Sequence, residues 1–389
     1  MNETRVTRRA HAQFRKFSAG QGPDECFLFV EGAESTPFDR AVAVMEREYA
    51  QALEALGLHG DTAVYRRFFV SDAANQVELL KHSPLCGDGA AREKVAASII
   101  QQPPLNGSKI AMFAYHVADE ALHKEVVGNQ QLLLRRDGIS QLWFTNLAEV
   151  NGTRGAAAQT EVLFEQLIDL LHRHGGTLAD STVRTWVYVR DVDRNYRAMV
   201  NARRELFARH GLTPETHYIA STGIEGHGAN ADTLVSLDAL SLLGLQAGQV
   251  YHLKAHDYLC DTIAYNVTFE RGTRIAFRDR CHFHISGTAS INKDGDVMHV
   301  GDVVKQTERA FENVAALLAD GGGTLSDLMY VLVYLRDLSD AAVVRDYLDT
   351  VVSELPCILL AAPVCRPQWL VEIEGVAIAP NDDPTLPAF

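Results

Sequence analysis

"GGGTLSDLMYVLVYLRDL", residues 321–338, has a near-copy earlier in the chain, "HGGTLADSTVRTWVYVRDV", residues 174–192. Both run from a glycine turn through Thr-Leu-x-Asp into a β-rich stretch ending in Val-Tyr-x-Arg-Asp. A glycine turn followed by branched and aromatic residues predicts a strand entered from a tight turn. An amphipathic helix is predicted before each copy. In "QTEVLFEQLIDLLHRH" the residues Val162, Leu163, Leu167, Leu170 and Leu171 share one face. In "QTERAFENVAALLAD" Ala310, Val314, Leu317 and Leu318 do the same. A fainter third copy comes first, "RAVAVMEREYAQALEALGLHGDTAVYRRFFVSDA", residues 40–73.

A repeat on this scale is one structural unit copied in tandem. After each β-run comes a further short helix and a last apolar strand. Before the third long helix, "YNVTFERGTRIAF" and the alternating "RCHFHISGTASI" read as strands. The expected fold class is α+β, with helices on one face of each sheet. The expected module limits are 25–130, 135–245 and 250–382. "ASIIQQPPLNGS", broken by Pro103 and Pro104, reads as a loop. The tail "PNDDPTLPAF" reads as loop-like and frayed.

Composition excludes several function classes. The chain has 389 residues and a net charge of −14, which disfavours a nucleic-acid partner. No apolar run reaches membrane-spanning length, and "MNETRVTRRAHAQF" lacks the apolar core of a secretory signal. Cysteines 26, 86, 260, 281, 357 and 365 show neither CxxC pairs nor zinc-like spacing. They read as reduced thiols of a cytoplasmic protein. His282 and His284 share a strand face without a signalled third ligand, so no metal is expected. The glycine-rich "TGIEGHGANAD" lacks Walker spacing; its N–H groups could cradle an anion.

In "WLVEIEGVAI", residues 369–378, Glu372 and Glu374 share one face of an apolar strand. By pattern alone a strand acid reads first as a structural partner of a Lys or Arg, with chemistry the alternative.

The third module resembles the Rid (YjgF) family, through "FHISGTASINKDGDVMHVGDVVKQTERAFENVAALLADGGGTLSDLMYVLVYLRDL" and "LVEIEGVAI". Rid proteins are typically homotrimers with sites in the clefts between subunits. The resemblance therefore implies three Rid-like (chorismate-mutase-like) modules forming a covalent pseudo-trimer, as a monomer or a low homo-oligomer. Rid deaminases hold a substrate carboxylate with an arginine in a "PxR" segment. Here Ile358 in "LPCILLAAP" takes that place, and "LTPETHYIAS" also lacks it.

Residues from about 140 to 380 resemble more narrowly the chorismatases, which derive from Rid proteins. The stretches are "TWVYVRDVDRNYRAMVNARREL", "ASTGIEGHGAN", "FHISGTASI" and "CRPQWLVEIEG". The resemblance implies that Glu372 is the catalytic acid. It also implies that Gly287 and Cys365 mark the branch making 3-hydroxybenzoate, with some 4-hydroxybenzoate or the dihydrodiol acid as alternatives. The expected reaction is cofactor-independent conversion of chorismate, beginning with protonation of the enolpyruvyl methylene. An acid for that step needs a raised pKa, which burial and the neighbouring Glu374 would supply. The dianionic substrate calls for arginine forks, for which Arg203, Arg336 and Arg271 are the candidates. Tyr196 and Tyr334 are the candidate hydroxyl donors. Gly287 lets the ring approach the strand, and Cys365 shapes the pocket or moves a proton. The competing expectations are a Rid-type enamine or imine deaminase and a non-catalytic small-molecule-binding protein.

Overall fold

The computed structural model describes residues 3–8, 11–19, 22–86, 94–128, 131–136, 138–149 and 155–389. The first module contains β1 (Glu3–Arg8), β2 (Ala12–Ser18), β3 (Asp24–Glu31), α1 (Phe38–Leu56), β4 (Ala63–Val70), α2 (Ala73–Leu80), β5 (Ala96–Gln101) and β6 (Ile110–Ala118). The second contains β7 (His123–Gly128), β8 (Gln131–Arg136), β9 (Ile139–Ala148), α3 (Ala156–Arg173), the single turn α4 (Leu178–Ser181), β10 (Thr182–Val189), α5 (Val192–Arg209), β11 (Ala220–Glu225) and β12 (Val235–Leu243). The third contains β13 (Val250–His252), β14 (Gly272–Ala276), β15 (Arg280–Ala289), α6 (Val303–Asp320), β16 (Leu328–Leu335), α7 (Ala341–Val351), β17 (Cys357–Ala361) and β18 (Val371–Pro380).

The three six-stranded sheets have one topology: β1-β2-β3-β6-β4-β5, β7-β8-β9-β12-β10-β11 and β13-β14-β15-β18-β16-β17. In each, the last two strands of the order are parallel and joined through a helix, α2, α5 or α7, as a crossover between parallel strands requires.

The repeated motif has a physical job in both strong copies. Gly175 and Gly322 take left-handed φ values of 78° and 84°, which glycine adopts without a Cβ penalty. Thr177 and Thr324 then cap the next turn, paired with Asp180 and Asp327. The Gln-Thr pair opening each helix is also structural. Gln159 accepts from the N–H groups of Leu234 and Val235, and Gln306 accepts from that of Leu370. Each glutamine thereby anchors the entry to its module's last strand.

The described sheets shift the expected boundaries. The first sheet begins at Glu3, ahead of residue 25, because β1 and β2 pair with β3. β7 belongs to the second sheet, although it lies before residue 130. "ASIIQQPPLNGS" is not all loop, because Ala96–Gln101 is β5, paired in parallel with β4. The chain leaves the sheet at the prolines, as their missing N–H groups dictate. "YNVTFERG" is not a strand; β14 begins at Gly272. The tail is loop-like but packed, for Phe389 is 6% exposed and lies against Phe277, His282 and Arg280.

One face of each sheet carries its helices, and the other faces converge on a shared axis. Separate cores lie between helices and sheet in the first and second modules, whereas a third core joins residues of all three. Backbone bonds stitch the seams: Gln101 N–H to His227 O, Glu270 N–H to Ile219 O, and Ala361 N–H to Pro103 O.

Candidate active site

The two acids of β18 have separate environments. Glu374 is 1% exposed and sits where the three modules meet. It accepts from Arg184 Nη2 at 2.7 Å, Trp186 Nε1 at 3.0 Å, Tyr334 Oη at 3.0 Å and Arg67 Nη1 at 3.3 Å. These partners come from all three modules, and they compensate a charge that burial alone would make costly. Tyr334 is thereby committed to Glu374, away from Glu372.

Glu372 is 5% exposed and lines a different cavity, between the second and third modules. Its Oε1 has no hydrogen-bond partner among the described residues. Burial, reinforced by the nearby charge of Glu374, pushes its carboxyl up to about 8, against the opposing pull of Arg184 and Arg271. At neutral pH this is a carboxylic acid with a proton to give.

The cavity is lined by side chains of the second and third modules. From the second module come Tyr196 and Arg203, one face of α5, and Ser221 and Gly223 of β11. Tyr196 and Cys365 are hydrogen-bonded. Burial, with the charge of Glu372, pushes the Cys365 thiol up to about 12, so it is a thiol at neutral pH and not a thiolate. Arg203 is 1% exposed; its Nη1 donates to Ser221 Oγ at 3.3 Å and its Nε has no partner among the described residues. Arg271 donates to the Cys260 carbonyl, and its guanidinium lies over the rings of Tyr265 and Phe269.

Gly287 is required by close approach. A Cβ there would stand 2.7 Å from Glu372 Cδ, closer still to Oε1, and 3.1 Å from Thr222 Cγ2. Its N–H donates to Thr222 Oγ1, which also accepts from Arg184.

Of the eight residues expected at the site, the cavity gathers Glu372, Cys365, Tyr196, Arg203, Gly287 and Arg271. It does not gather Tyr334 or Arg336. Arg336 pairs with Asp193 at the partly exposed edge of the second–third seam. Its counterpart Arg190 binds the carbonyls of Gly228, Asn230 and Thr233. Two residues of the "TGIEGHGANAD" stretch, Gly228 and Asn230, thus turn carbonyls to an arginine, and its Gly223 lines the cavity. The expectation missed Arg366 and Trp369, which line the cavity with Arg366 stacked over Trp369. Both stand in "CRPQWLVEIEG", and the alternation of the strand beyond them gave no direction for residues before it.

A protonated Glu372 faces Arg203, Arg271 and Arg366. Such a cavity suits an anionic substrate and general-acid chemistry.

A family model for endoribonuclease L-PSP matches residues 274–379. The 3-hydroxybenzoate synthase of Streptomyces hygroscopicus is 27% identical over 274 residues, 62% of this chain and 77% of that protein. A chorismatase of Streptomyces rapamycinicus is 29% identical over 241 residues, 57% of this chain and 70% of that protein. The 3-aminoacrylate deaminase RutC of Acinetobacter baylyi is 32% identical over 98 residues, 24% of this chain and 76% of that protein. A chorismatase crystal structure shares the fold, with a TM-score of 0.62 at 22% identity over 82% of this chain and 93% of that chain. The chain belongs to the RutC and L-PSP (Rid) family, and it shares more than half of its length with the chorismatases.

Proposed function

We propose that this protein is a chorismatase-type enzyme, converting chorismate to 3-hydroxybenzoate and pyruvate with its own side chains. The observation that carries the reading is Glu372: a buried carboxyl, protonated at neutral pH, with a partnerless oxygen among three arginines.

Chorismate is a dianion with an enolpyruvyl ether. Arg203, Arg271 and Arg366 offset its carboxylates. Glu372 gives its proton to the enolpyruvyl methylene, and the adjoining ether carbon becomes oxocarbenium-like. The carboxylate left behind is stabilised by Arg184 and Arg271, the same groups that oppose its raised pKa. Loss of pyruvate takes up one water, and aromatisation of the ring releases one, so the sum of the products equals the substrate. The Tyr196–Cys365 pair stands beside the acid, where a proton must leave the ring. Gly287 leaves room for the ring against β15.

The deaminase reading has no arginine to rest on at the expected position. Ile358 is a buried residue of β17, paired with Leu332.

The test is purified protein incubated with chorismate, with products separated by chromatography and identified by mass. 3-Hydroxybenzoate and pyruvate in equal amounts are expected. Absence of pyruvate release would falsify the assignment.

A further inference from the structure

A second chamber lies on the shared axis, away from Glu372. Its walls include Phe27 and Tyr65 of the first module, Trp143 and Trp186 of the second, and His284 and Tyr330 of the third. Tyr65 stacks on Trp143 at 4.8 Å, and Phe27 tilts against Tyr330 at 5.6 Å. Phe389 of the tail lies at one end.

The charges in these walls are already matched. Glu25 accepts from Arg280 at 2.6 Å and bonds His282 at 2.9 Å. Burial would raise Glu25, but His282 and Arg280 bring it down to about 2. His284 is not matched: it is 7% exposed and its Nδ1 has no hydrogen-bond partner among the described residues. Burial, with His282 and Arg184 nearby, pulls its imidazole down to about 3 despite the opposing charge of Glu25, so it is neutral.

An aromatic chamber with an unsatisfied neutral imidazole in its wall suits a ring that carries a hydrogen-bonding hydroxyl. A carboxylate would be buried without a counter-charge, at high cost. Aromatic walls favour edge-to-face and offset contacts with a ring. We propose that the axial chamber is a second ligand site, taking a small uncharged phenol whose hydroxyl bonds the His284 imidazole. The assignment is independent of the chemistry at Glu372, whose substrate and product are anions.

The tryptophans allow the two sites to be read separately. Of the three in the chain, Trp143 and Trp186 line the chamber and Trp369 lines the Glu372 cavity. In a Trp369→Phe background, titration with phenol should quench the remaining fluorescence saturably. Benzoate should bind at least tenfold more weakly. His284→Phe, which keeps a ring and removes the hydrogen-bonding nitrogen, should weaken phenol at least tenfold. Unsaturable quenching, equal binding of benzoate, or indifference to His284→Phe would overturn the proposal. Crystals soaked in 4-bromophenol give a direct reading that does not depend on a variant folding. Bromine scattering in the axial chamber supports the site, and bromine found only elsewhere, or nowhere, overturns it.

Discussion

The seam between the second and third modules and the seam between the first and second are built from corresponding positions with different side chains. Glu372 pairs with Tyr334, and Ser236 with Tyr188, the same tyrosine of the repeated motif. Both sheets carry a bulge opposite, leaving Ser286 and Gly287 in one and Thr145 and Asn146 in the other. On the facing module, Gly223 corresponds to Ile99. One seam thus has Glu372, Gly287 and Gly223, and is hollow. The other has Ser236, Asn146 and Ile99, and is stitched: Asn146 Nδ2 donates to the Ala97 carbonyl, and its Oδ1 accepts from the Ser98 hydroxyl and the Ile99 N–H. The third seam has Ala111 at the acid's position. Two glycines and one unsatisfied acid separate a cavity from a weld.

The largest expected effect is at the acid. Glu372→Gln keeps shape and loses the proton, so kcat for pyruvate release should fall by about 10²–10⁴. A coupled lactate dehydrogenase assay measures it; undiminished turnover would show that the hollow seam is not where the chemistry occurs.

Gly287→Asn copies the weld into the cavity. Its Cβ meets Glu372 at once, so turnover should drop at least about 100-fold through lost positioning. Circular dichroism checks that the variant is folded, so that the loss is read at the cavity. Retained turnover would mean that the glycine is not needed for room.

Glu372 also sets a pH signature. Its folded carboxyl titrates near 8, against an ordinary 4.5. The folded chain therefore binds this proton more tightly between those values, and the group's contribution to stability declines as pH rises from about 4.5 to about 8. Glu372→Gln should gain stability relative to the parent across that window, by roughly 3–5 kcal/mol. Parallel urea melts at several pH values measure this, and a flat difference would place the carboxyl in an ordinary environment. On the same basis kcat should fall above about pH 8.

The smallest effect is in the weld. Asn146→Ala leaves backbone groups of β5 short of partners and should cost about 1–3 kcal/mol, with kcat unchanged. A change in kcat would show that the two seams are coupled.

The repeat was legible in the sequence because its residues do local work: glycines at left-handed turns, threonine caps, and glutamines anchoring strand entries. The acid pair was legible because a strand's period of two puts Glu372 and Glu374 on one face. Their division of labour was not, since it depends on Arg67 and Arg184, distant in sequence and arriving from other modules. Tyr334 and Arg336 misled because a repeated residue first reports what every copy needs. Tyr334 serves the central ion cluster, and Arg336 an ion pair across the seam. The β1–β2 hairpin and the parentage of β7 escaped notice because short edge strands are defined by partners more than by their own pattern.

Arg15 donates to the carbonyls of Ser326 and Leu328, closing the first module onto the third across nearly the whole chain. A polypeptide emerging from the ribosome meets its first module's partner last. Until β16 arrives, Phe27 and Phe113, which finally pack against Tyr330, have water or a neighbouring chain to face. Such late closure makes folding slow relative to local assembly and exposes apolar surface to intermolecular capture. The circular arrangement that permits one seam to differ from the others thus carries a kinetic liability, greatest before synthesis is complete.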